Sequence, residues 1–391
     1  MAISTEKIYT GALAVIVVTY LVWLGLAVSG GMRPAAPTGD TVTKAEYDAL
    51  RAQLTQVEAQ LSQVRAELTE AQAQIAELSK PPKVGVVFAT GGLGDKSFND
   101  ISFAGCEKAL EKLGVAFDYV EPTAIAEYEG FQRDFAMSGD YILIVCIGFD
   151  QADALTVVAS EYPDQNFALV DMVVDNANVA SLTFRANEGS FLTGVVAGLT
   201  TTTGKVGFVG GMDIPLIRDF FVGYKAGAEW VNPNVQVLEP VFVGDWADPT
   251  KGKELAVGLW ELGADCIFAA GGKSGLGALE ACDEKNINGF GVDACQCYLN
   301  DNMAASMTKR VDEAVYEMIL DALVGKFQGG FYSGGLSEGW VGMCQLPDEK
   351  ALWESTFHFT HKDLPDTIIN KVLEAKNKII AGTISVPSGY G

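Results

Sequence analysis

Histidine is scarce in this chain, and the residue spacings that usually mark metal sites are missing. The 391 residues include two histidines, His358 and His361, both near the carboxyl terminus. There is no C-x-x-C pair, and acidic residues do not recur at metal-binding spacing. The sequence therefore predicts no metal site and no cofactor, and it predicts that the protein is not an enzyme.

Positive charge is also in short supply. Lysine and arginine total 27 against 50 acidic residues, which gives a net charge of −23. Such a surface repels phosphate, so nucleic acid is not expected as a partner and neutral ligands are favoured over nucleotides. A composition with 49% hydrophobic and 20% charged residues is typical of a globular protein, with material for two or three domains.

Cysteine does not occur before Cys106, which excludes a lipid anchor on a cysteine close to the amino terminus. The total of seven is odd, so at least one cysteine is unpaired or bonded between chains. We expect three of them to be small buried hydrophobes, namely Cys106, Cys146 and Cys266. Disulfides are feasible in an oxidising space among those near the ends of elements, which are Cys282, Cys295, Cys297 and Cys344.

Charge is absent from residues 8–28, a stretch long enough to cross a bilayer as a helix. Such a segment is either a membrane anchor or a signal peptide. Its apolar part is longer than that of most signal peptides. An uncleaved anchor within residues 1–33 is therefore favoured, with the rest of the chain outside the cytoplasm at the cell membrane.

Residues 34–82 predict a linker and a coiled-coil stalk. Thr43 and Glu46 have the spacing of a capping box at the start of a helix, and Pro81 and Pro82 end it. Apolar residues recur three and four positions apart, at Tyr47, Leu50, Leu54, Val57, Leu61, Val64, Leu68, Ala71, Ile75 and Leu78. A single helix would leave this seam exposed. The pattern therefore predicts a homo-oligomer, and the Val and Ala in one core position favour a trimer or tetramer.

The rest of the chain contains the same α/β pattern twice. Residues 83–100, KVGVVFATGGLGDKSFND, predict a buried strand, a glycine turn and a helix, and KVGFVGGMD repeats this opening from Lys205. Each copy continues through a Glu-Pro pair to an apolar strand that ends at glycine, at residues 141–147 and 266–270. The repeat predicts two doubly wound lobes with parallel sheets and a ligand site between them.

Five segments resemble, in order, the basic membrane protein family of solute receptors for ABC transporters, which includes purine-nucleoside-binding lipoproteins. They are GGLGDKSFND at 91–100, NEGSFLTGVVAGL at 187–199, KVGFVGGMDIP at 205–215, DPTKGKELA at 248–256 and SMTKRVDEAVY at 306–316. The resemblance covers residues 83–391 and implies a type I periplasmic-binding fold. The predicted first lobe is 83–203 plus 294–326 and the second is 204–293 plus 327–391, with hinges near Thr203, Asp293 and Phe327.

The resemblance also implies a set of ligand-binding residues in the cleft. They are Asp95, Asn99, Phe103, Asp150, Trp246, Gly272, Asp293 and Lys309. Phe103 and Trp246 would stack on a flat neutral base, and Asp150 would accept hydrogen bonds from its N–H groups. Asp293 and Lys309 would pair and bind ribose hydroxyls.

Each of these residues also fits a structural role. Asp95 and Asp150 fit helix N-caps, Phe103 and Trp246 core packing, Lys309 a solvated charge, and Gly272 a turn. The chain departs from the family pattern at Gly244-Asp245-Trp246, where Gly-Ser-Phe is usual, and at Lys273, which would admit an anionic ligand. Gly272-Lys273-Ser274 is similar to the end of a Walker A loop, but Ile267 stands where that loop needs glycine.

The sequence therefore predicts a membrane-anchored, extracytoplasmic solute-binding protein that captures a nucleoside-like ligand for an ABC permease. A competing hypothesis is an oligomeric cell-surface scaffold built from the same fold, in which the stalk is the functional part. Fold likeness alone does not separate the two.

Overall fold

The computed structural model describes residues 43–78, 81–357 and 363–390, in two compact units that divide between Lys80 and Pro81. The predicted anchor at residues 8–28 and the histidines His358 and His361 lie outside the described residues. Among the helices in the described ranges, none is both long and apolar enough to cross a membrane.

The first unit contains a single described helix, α1 (Lys44–Leu78). The predicted capping box is present, because Thr43 Oγ1 accepts from the Glu46 amide at 3.3 Å and Glu46 Oε2 accepts from the Thr43 amide at 2.8 Å. Four residues of the predicted seam are exposed within this unit, Leu54 by 58%, Val57 by 56%, Leu61 by 42% and Leu68 by 39%. The helix alone therefore leaves much of its apolar stripe in water.

The second unit alternates strands and helices. Its helices are α2 (Phe98–Leu113), α3 (Tyr128–Ser138), α4 (Ala152–Glu161), α5 (Ala186–Thr200), α6 (Pro215–Val231), α7 (Pro249–Glu261), α8 (Gly272–Glu284), α9 (Val311–Leu323), α10 (Pro347–Phe357) and α11 (Asp366–Ile380). Its strands are β1 (Lys83–Val87), β2 (Ala116–Val120), β3 (Tyr141–Ile147), β4 (Phe167–Val170), β5 (Val179–Phe184), β6 (Lys205–Gly210), β7 (Gln236–Val237), β8 (Val241–Phe242), β9 (Cys266–Ala270), β10 (Asn288–Gly291), β11 (Met303–Lys309), β12 (Gly330–Gly334) and β13 (Val341–Met343).

The strands form the two predicted sheets. The first has the order β12-β5-β4-β3-β1-β2 with parallel pairing throughout. The second has the order β13-β11-β10-β9-β6-β7, with β8 also paired to β6, and its strands are parallel except for antiparallel β13. Because the central strands are covered on both faces, they are continuous apolar runs, as in β3 and β9.

The chain crosses between the sheets at other points than the sequence predicted. The predicted first lobe included residues 185–203 and 303–309, but α5 packs on α6 and β11 pairs with β10 in the second sheet. The crossings are at Arg185, at Arg310 and between Gly334 and Val341. The prediction from sequence placed a crossing near Thr203 because the threonine-rich residues 200–203 resemble a linker between domains. In the structure, Asp265 beside β9 binds this segment, accepting from the amides of Thr202 and Thr203 at 2.6 and 3.0 Å.

One disulfide joins Cys295 to Cys344, two of the four cysteines that the sequence placed near element ends. The predicted core cysteines Cys106, Cys146 and Cys266 are buried and free, as expected. Cys297 is a free buried thiol beside the disulfide.

Candidate functional site

A cavity lies where the carboxyl ends of the two sheets face each other, and it encloses about 660 Å³ of empty space including its mouth. Seven of the eight predicted residues line it: Asp95, Asn99, Asp150, Trp246, Gly272, Asp293 and Lys309. Parallel strands bring these residues together because their carboxyl ends lie at one edge of each sheet.

Asp95 organises the turn that leads into α2. Its two carboxylate oxygens accept hydrogen bonds from the amides of Ser97, Asn99 and Asp100 at 2.9, 2.9 and 3.1 Å. The Asn99 side chain also donates to Asp95 at 3.1 Å and accepts from the Ala89 amide at 3.1 Å. Burial raises the pKa of Asp95, and the backbone amides oppose that rise. Asp95 therefore acts as a cap that positions Asn99.

Asp150 lies in the 3₁₀ turn that follows β3. Gln151 locks this turn by donating to the carbonyls of Val87 and Ile147, both at 2.8 Å. Asp150 does not cap α4, whose N-cap residue is Gln151. One of its oxygens accepts from the Tyr128 hydroxyl at 3.1 Å, while the buried Oδ1 has no partner among the described residues. Burial raises the pKa of Asp150.

Lys309 is the buried cation of the site. Its side chain is 2% exposed, and its ammonium pairs with Asp171 Oδ2 at 2.5 Å. The expected pairing with Asp293 is thus replaced by one with Asp171, a residue at the end of β4. The ammonium also lies 4.8, 5.0 and 5.9 Å from the ring centroids of Phe98, Phe184 and Phe220. The second oxygen of Asp171, Oδ1, is buried without a partner among the described residues.

Asp293 links the two lobes. It follows β10, its backbone has a φ of 63°, and its carboxylate accepts from the Ser97 hydroxyl at 2.6 Å. Asp171 takes the same left-handed backbone conformation, with a φ of 73°. Burial raises the pKa of Asp293 to about 6, although Lys309 and Ser97 partly oppose the rise. Left-handed backbone at non-glycine residues is costly and clusters at functional sites.

Aromatic side chains from both lobes meet at the cavity. Phe149 follows β3 in the first lobe and Trp246 precedes α7 in the second, and their rings are 6.4 Å apart at 66°. The indole packs against Gly211, where an added Cβ would come within 2.3 Å of the ring. Trp246 therefore packs on the second lobe and also presents its ring to the cavity.

Phe103 is the predicted site residue that the structure places elsewhere. Its ring packs among Phe88, Phe117 and Tyr119, at centroid distances of 6.2, 5.4 and 5.7 Å. Phe98 lines the cavity instead. Because each helical residue advances about 100°, Phe103 lies about 140° around α2 from Phe98 and faces the sheet. Phe98 lies in the segment 91–100, five residues before Phe103.

Gly272 and Lys273 begin α8 at the second-lobe rim. Gly272 has a φ of 55°, a conformation that glycine adopts without strain. Lys273 lines the cavity, and the described residues offer it no ion pair within 4 Å. Its ammonium lies near Gly92 of the first lobe, 3.8 Å from where a Cβ would stand.

Sequence reasoning missed several lining residues, chiefly Asp171, Phe149 and Phe220. Asp171 directly follows β4, as Asp293 follows β10, so the rule that strand ends face the ligand would have found it. Phe149 is next to the predicted Asp150. Phe220 is on α6, and no local pattern distinguishes it from a core residue.

A family model described as Bmp, ABC transporter substrate-binding protein PnrA-like, matches residues 82–389. The chain belongs to the Bmp family. It is therefore an ABC transporter substrate-binding protein, and the family resemblance inferred from the five segments is confirmed.

Individual relatives agree with this assignment. The chain is 35% identical over 335 residues to a CD4+ T-cell-stimulating antigen of Listeria monocytogenes, a match that covers 79% of this chain and 89% of that protein. It is 33% identical over 321 residues to an uncharacterized lipoprotein of Pyrococcus abyssi, covering 77% and 79%.

A solved structure of an ABC transporter solute-binding protein from Aeropyrum pernix K1 is similar in fold and sequence. Its TM-score is 0.69 at 33% identity, with 78% of this chain and 94% of that chain covered. The α/β architecture of two parallel sheets is thus the one that the Bmp assignment leads us to expect. Substrate-binding proteins of transporters are not an enzyme family; that this chain has no catalytic activity stays a prediction.

Proposed function

We propose that this protein captures a nucleoside, or a closely similar neutral ligand, in the cavity and delivers it to an ABC permease. One observation carries the choice of ligand: the buried Oδ1 atoms of Asp150 and Asp171 have no partner among the described residues, and both residues line the cavity together with Phe149 and Trp246. Buried carboxylate oxygens without a partner need N–H or O–H donors from a ligand. The aromatic rings of Phe149 and Trp246 can stack on a flat base.

The charges of the cavity argue for a neutral ligand. Asp171 already neutralises Lys309, and Asp150 and Asp293 add negative charge around it. An anionic ligand would be repelled by these carboxylates unless Lys273 at the rim compensated. Donors on a ribose would reach Asp293 and Asp171, and donors on the base would reach Asp150.

The ligand is proposed to close the cleft. Ser97 of the first lobe already donates to Asp293 of the second at 2.6 Å, so the two lobes share a hydrogen bond beside the site. Hinge closure around a ligand at such a cleft is the usual motion of two-lobed binding proteins.

Attachment to the cell membrane, with the lobes outside the cytoplasm, is part of the proposal. Its supports are the uncharged residues 8–28, the Cys295–Cys344 disulfide and a relative named as a lipoprotein. Residues 8–28 would act as the anchor.

The direct test is ligand binding by the full chain. Adenosine, guanosine and inosine are titrated by calorimetry, with ribose and a nucleoside monophosphate for comparison. We expect nucleosides to bind and to raise the unfolding temperature, with the monophosphate weaker. Asp150→Asn and Asp293→Ala should weaken nucleoside binding by tenfold or more, on the order of 1.4 kcal/mol. Asp175→Asn, at an exposed position near Asp171, is the matched control. The absence of nucleoside binding by well-folded protein would refute the proposal.

A scaffold function is the second candidate, and the exposed seam of α1 favours it. Leu54, Val57 and Leu61 would be buried in a trimeric or tetrameric coiled coil. A transport receptor has no evident need for several copies. A stable oligomer whose cavity binds none of the nucleosides would favour the scaffold, whereas nucleoside binding would favour transport.

A further inference from the structure

Three cysteines form a buried cluster in the second lobe. Cys295 and Cys344 form the disulfide, and the Sγ of Cys297 lies 3.7 Å from that of Cys344. All three sulfurs lie within 4.8 Å of one another. We propose that this cluster is a thiol–disulfide exchange site, in which Cys297 replaces Cys295 as the partner of Cys344.

The exchange balances without any added reagent. The Cys297 thiolate attacks Cys344 Sγ, a Cys297–Cys344 bond forms, and the Cys295–Cys344 bond breaks. Cys295 leaves as a thiolate and takes up the proton that Cys297 gave up. The attacking sulfur must move from 3.7 Å to a bonded distance of about 2.05 Å, which is a small shift for a loop residue.

The surroundings of Cys297 hold it towards Cys344. The Gln345 side-chain amide lies 2.7 Å from Cys297 Sγ, and the Ser306 hydroxyl lies 3.6 Å from it. Burial raises the pKa of the Cys297 thiol to about 11, so the thiolate is a minor form at neutral pH. Exchange is therefore slow, on the scale of minutes to hours for uncatalysed rearrangements.

The exchange would act on the ligand site through Gln296, the residue between the two competing cysteines. Its side chain accepts from the Val292 amide at 2.9 Å and donates across the cleft to the Lys96 carbonyl at 3.0 Å. Asp293 is two residues before Cys295. Moving the disulfide from one side of Gln296 to the other would shift this contact between the lobes.

The proposal goes beyond solute capture and does not depend on the identity of the ligand. The first test maps the disulfide in the full wild-type chain after hours at neutral pH, by acid quench, alkylation in denaturant and mass spectrometry of peptides. We expect the label to be divided between Cys295 and Cys297, with Cys344 unlabelled. The free cysteines Cys106, Cys146, Cys266 and Cys282 serve as fully labelled references. A fully labelled Cys297 with an unlabelled Cys295 in every sample would overturn the exchange.

The second test uses Cys295→Ser and Cys297→Ser in oxidised glutathione, with Cys282→Ser as the control. Cys295→Ser should form the Cys297–Cys344 disulfide, and Cys297→Ser should retain Cys295–Cys344. Two free thiols at Cys297 and Cys344 in folded Cys295→Ser would contradict the proposal. If that variant does not fold, the wild-type mapping decides alone.

Hydrogen exchange tests the link to the cleft. The amides of Lys96 and Ser97 should exchange roughly fivefold faster in Cys295→Ser than in Cys297→Ser, the effect of losing about one net hydrogen bond. Equal rates in both variants would remove the role assigned to Gln296 and leave exchange confined to the cluster.

Discussion

Two buried aspartates illustrate how single residues make this site. Asp171 and Asp293 each follow a parallel strand, each has a positive φ, and both lie close to Lys309 in the chain's tertiary structure. Neither conformation is favourable for a residue with a side chain. The position of each carboxylate therefore comes with local backbone strain.

The Lys309–Asp171 pair gives a first prediction at this scale. Lys309→Met removes the cation and leaves Asp171 buried without a counter-charge, so we expect a loss of about 3–5 kcal/mol in the free energy of unfolding. Asp171→Asn in the same chain should restore most of it. Chemical denaturation of the wild type, both single variants and the double variant measures the coupling.

The control for that cycle is an exposed pair. Lys251→Met beside Glu254, whose groups are 3.1 Å apart on the surface, should change stability by less than about 1 kcal/mol. Equal losses in the free energy of unfolding for the two lysine variants would show that the buried ion pair contributes no more to stability than the exposed one.

Asp293 gives a second prediction, on pH. Its folded pKa of about 6 is above the unfolded value, so the folded state binds more protons between about pH 4 and 6. The free energy of unfolding therefore falls as pH rises through this window, and the ionised group costs stability above it. Asp293→Asn should be more stable than wild type at pH 7.5, by on the order of 2 kcal/mol, and should lose this advantage near pH 4. Thermal unfolding across this range measures the difference, and a constant difference would contradict the assignment.

The affinity for the ligand should also depend on the protonation of Asp293, but it should rise with pH where the stability falls. If ligand hydroxyls donate to the Asp293 carboxylate, protonation competes with binding. Affinity should then fall about tenfold between pH 7 and pH 5, as expected for a pKa near 6. Calorimetry at both pH values checks this, and Asp293→Asn should bind weakly but without that pH dependence.

At the scale of elements, α1 stands out because its apolar stripe is exposed. Its capping box and length were predicted, but a helix of this kind with exposed Leu54 and Leu61 needs a partner to bury its seam. Tertiary or quaternary packing, not helix propensity, supplies most helical stability.

We therefore predict that the full chain is an oligomer and that the Leu54→Asn, Leu61→Asn double variant is not. Each buried leucine contributes on the order of 1.5–3 kcal/mol to association, so two polar replacements should dissociate the stalk at micromolar concentration. Sedimentation velocity measures the mass. Gln56→Asn with Gln63→Asn, off the seam on the same helix, is the matched control and should leave the mass unchanged.

Glycine and tryptophan act together where β6 meets the site. The Trp246 indole packs against Gly211. The backbone N–H of Ser274, at the start of α8, donates to the Trp246 carbonyl at 3.1 Å. These two contacts fix the position of the indole ring in the ligand-free protein.

This arrangement predicts that Trp246→Phe retains nucleoside binding while Trp246→Ala loses about 1–3 kcal/mol, the range for stacking of one base on a ring. Both affinities are measured by calorimetry. Trp260→Ala, which removes a tryptophan exposed on α7, should leave affinity unchanged. Equal affinity for wild type and Trp246→Ala would exclude stacking on this ring.

At the scale of the whole molecule, three crossings of the chain join the two lobes. One is held by Arg185, which donates its amide to Gly334 at 2.8 Å and pairs with Glu188 at 2.6 Å. Another is at Arg310, whose amide donates to Trp340 at 2.8 Å. Few residues therefore have to change conformation for the lobes to move.

Closure gives the last prediction. Saturating nucleoside should reduce the radius of gyration of the full chain in small-angle scattering, and Asp150→Asn at the same nucleoside concentration should show a smaller change because less ligand is bound. An unchanged radius in a protein shown to bind nucleoside would mean that the cleft is already closed without ligand.

The sequence by itself determined the local elements and the family. Apolar runs and glycine turns located β3 and β9 to the residue, since both strands are buried on two faces, and the five segments identified the Bmp family. The family resemblance supplied the predicted site residues, and parallel sheets explain why seven of the eight meet at one cavity.

Only the tertiary structure decided which distant groups meet. It places Phe98 rather than Phe103 at the cavity and pairs Lys309 with Asp171. It also shows that the chain crosses between the lobes at Arg185 and Arg310. Each of these outcomes depends on packing between segments far apart in the chain, and local propensity contains no information about which strand joins which sheet or which carboxylate reaches a buried ammonium.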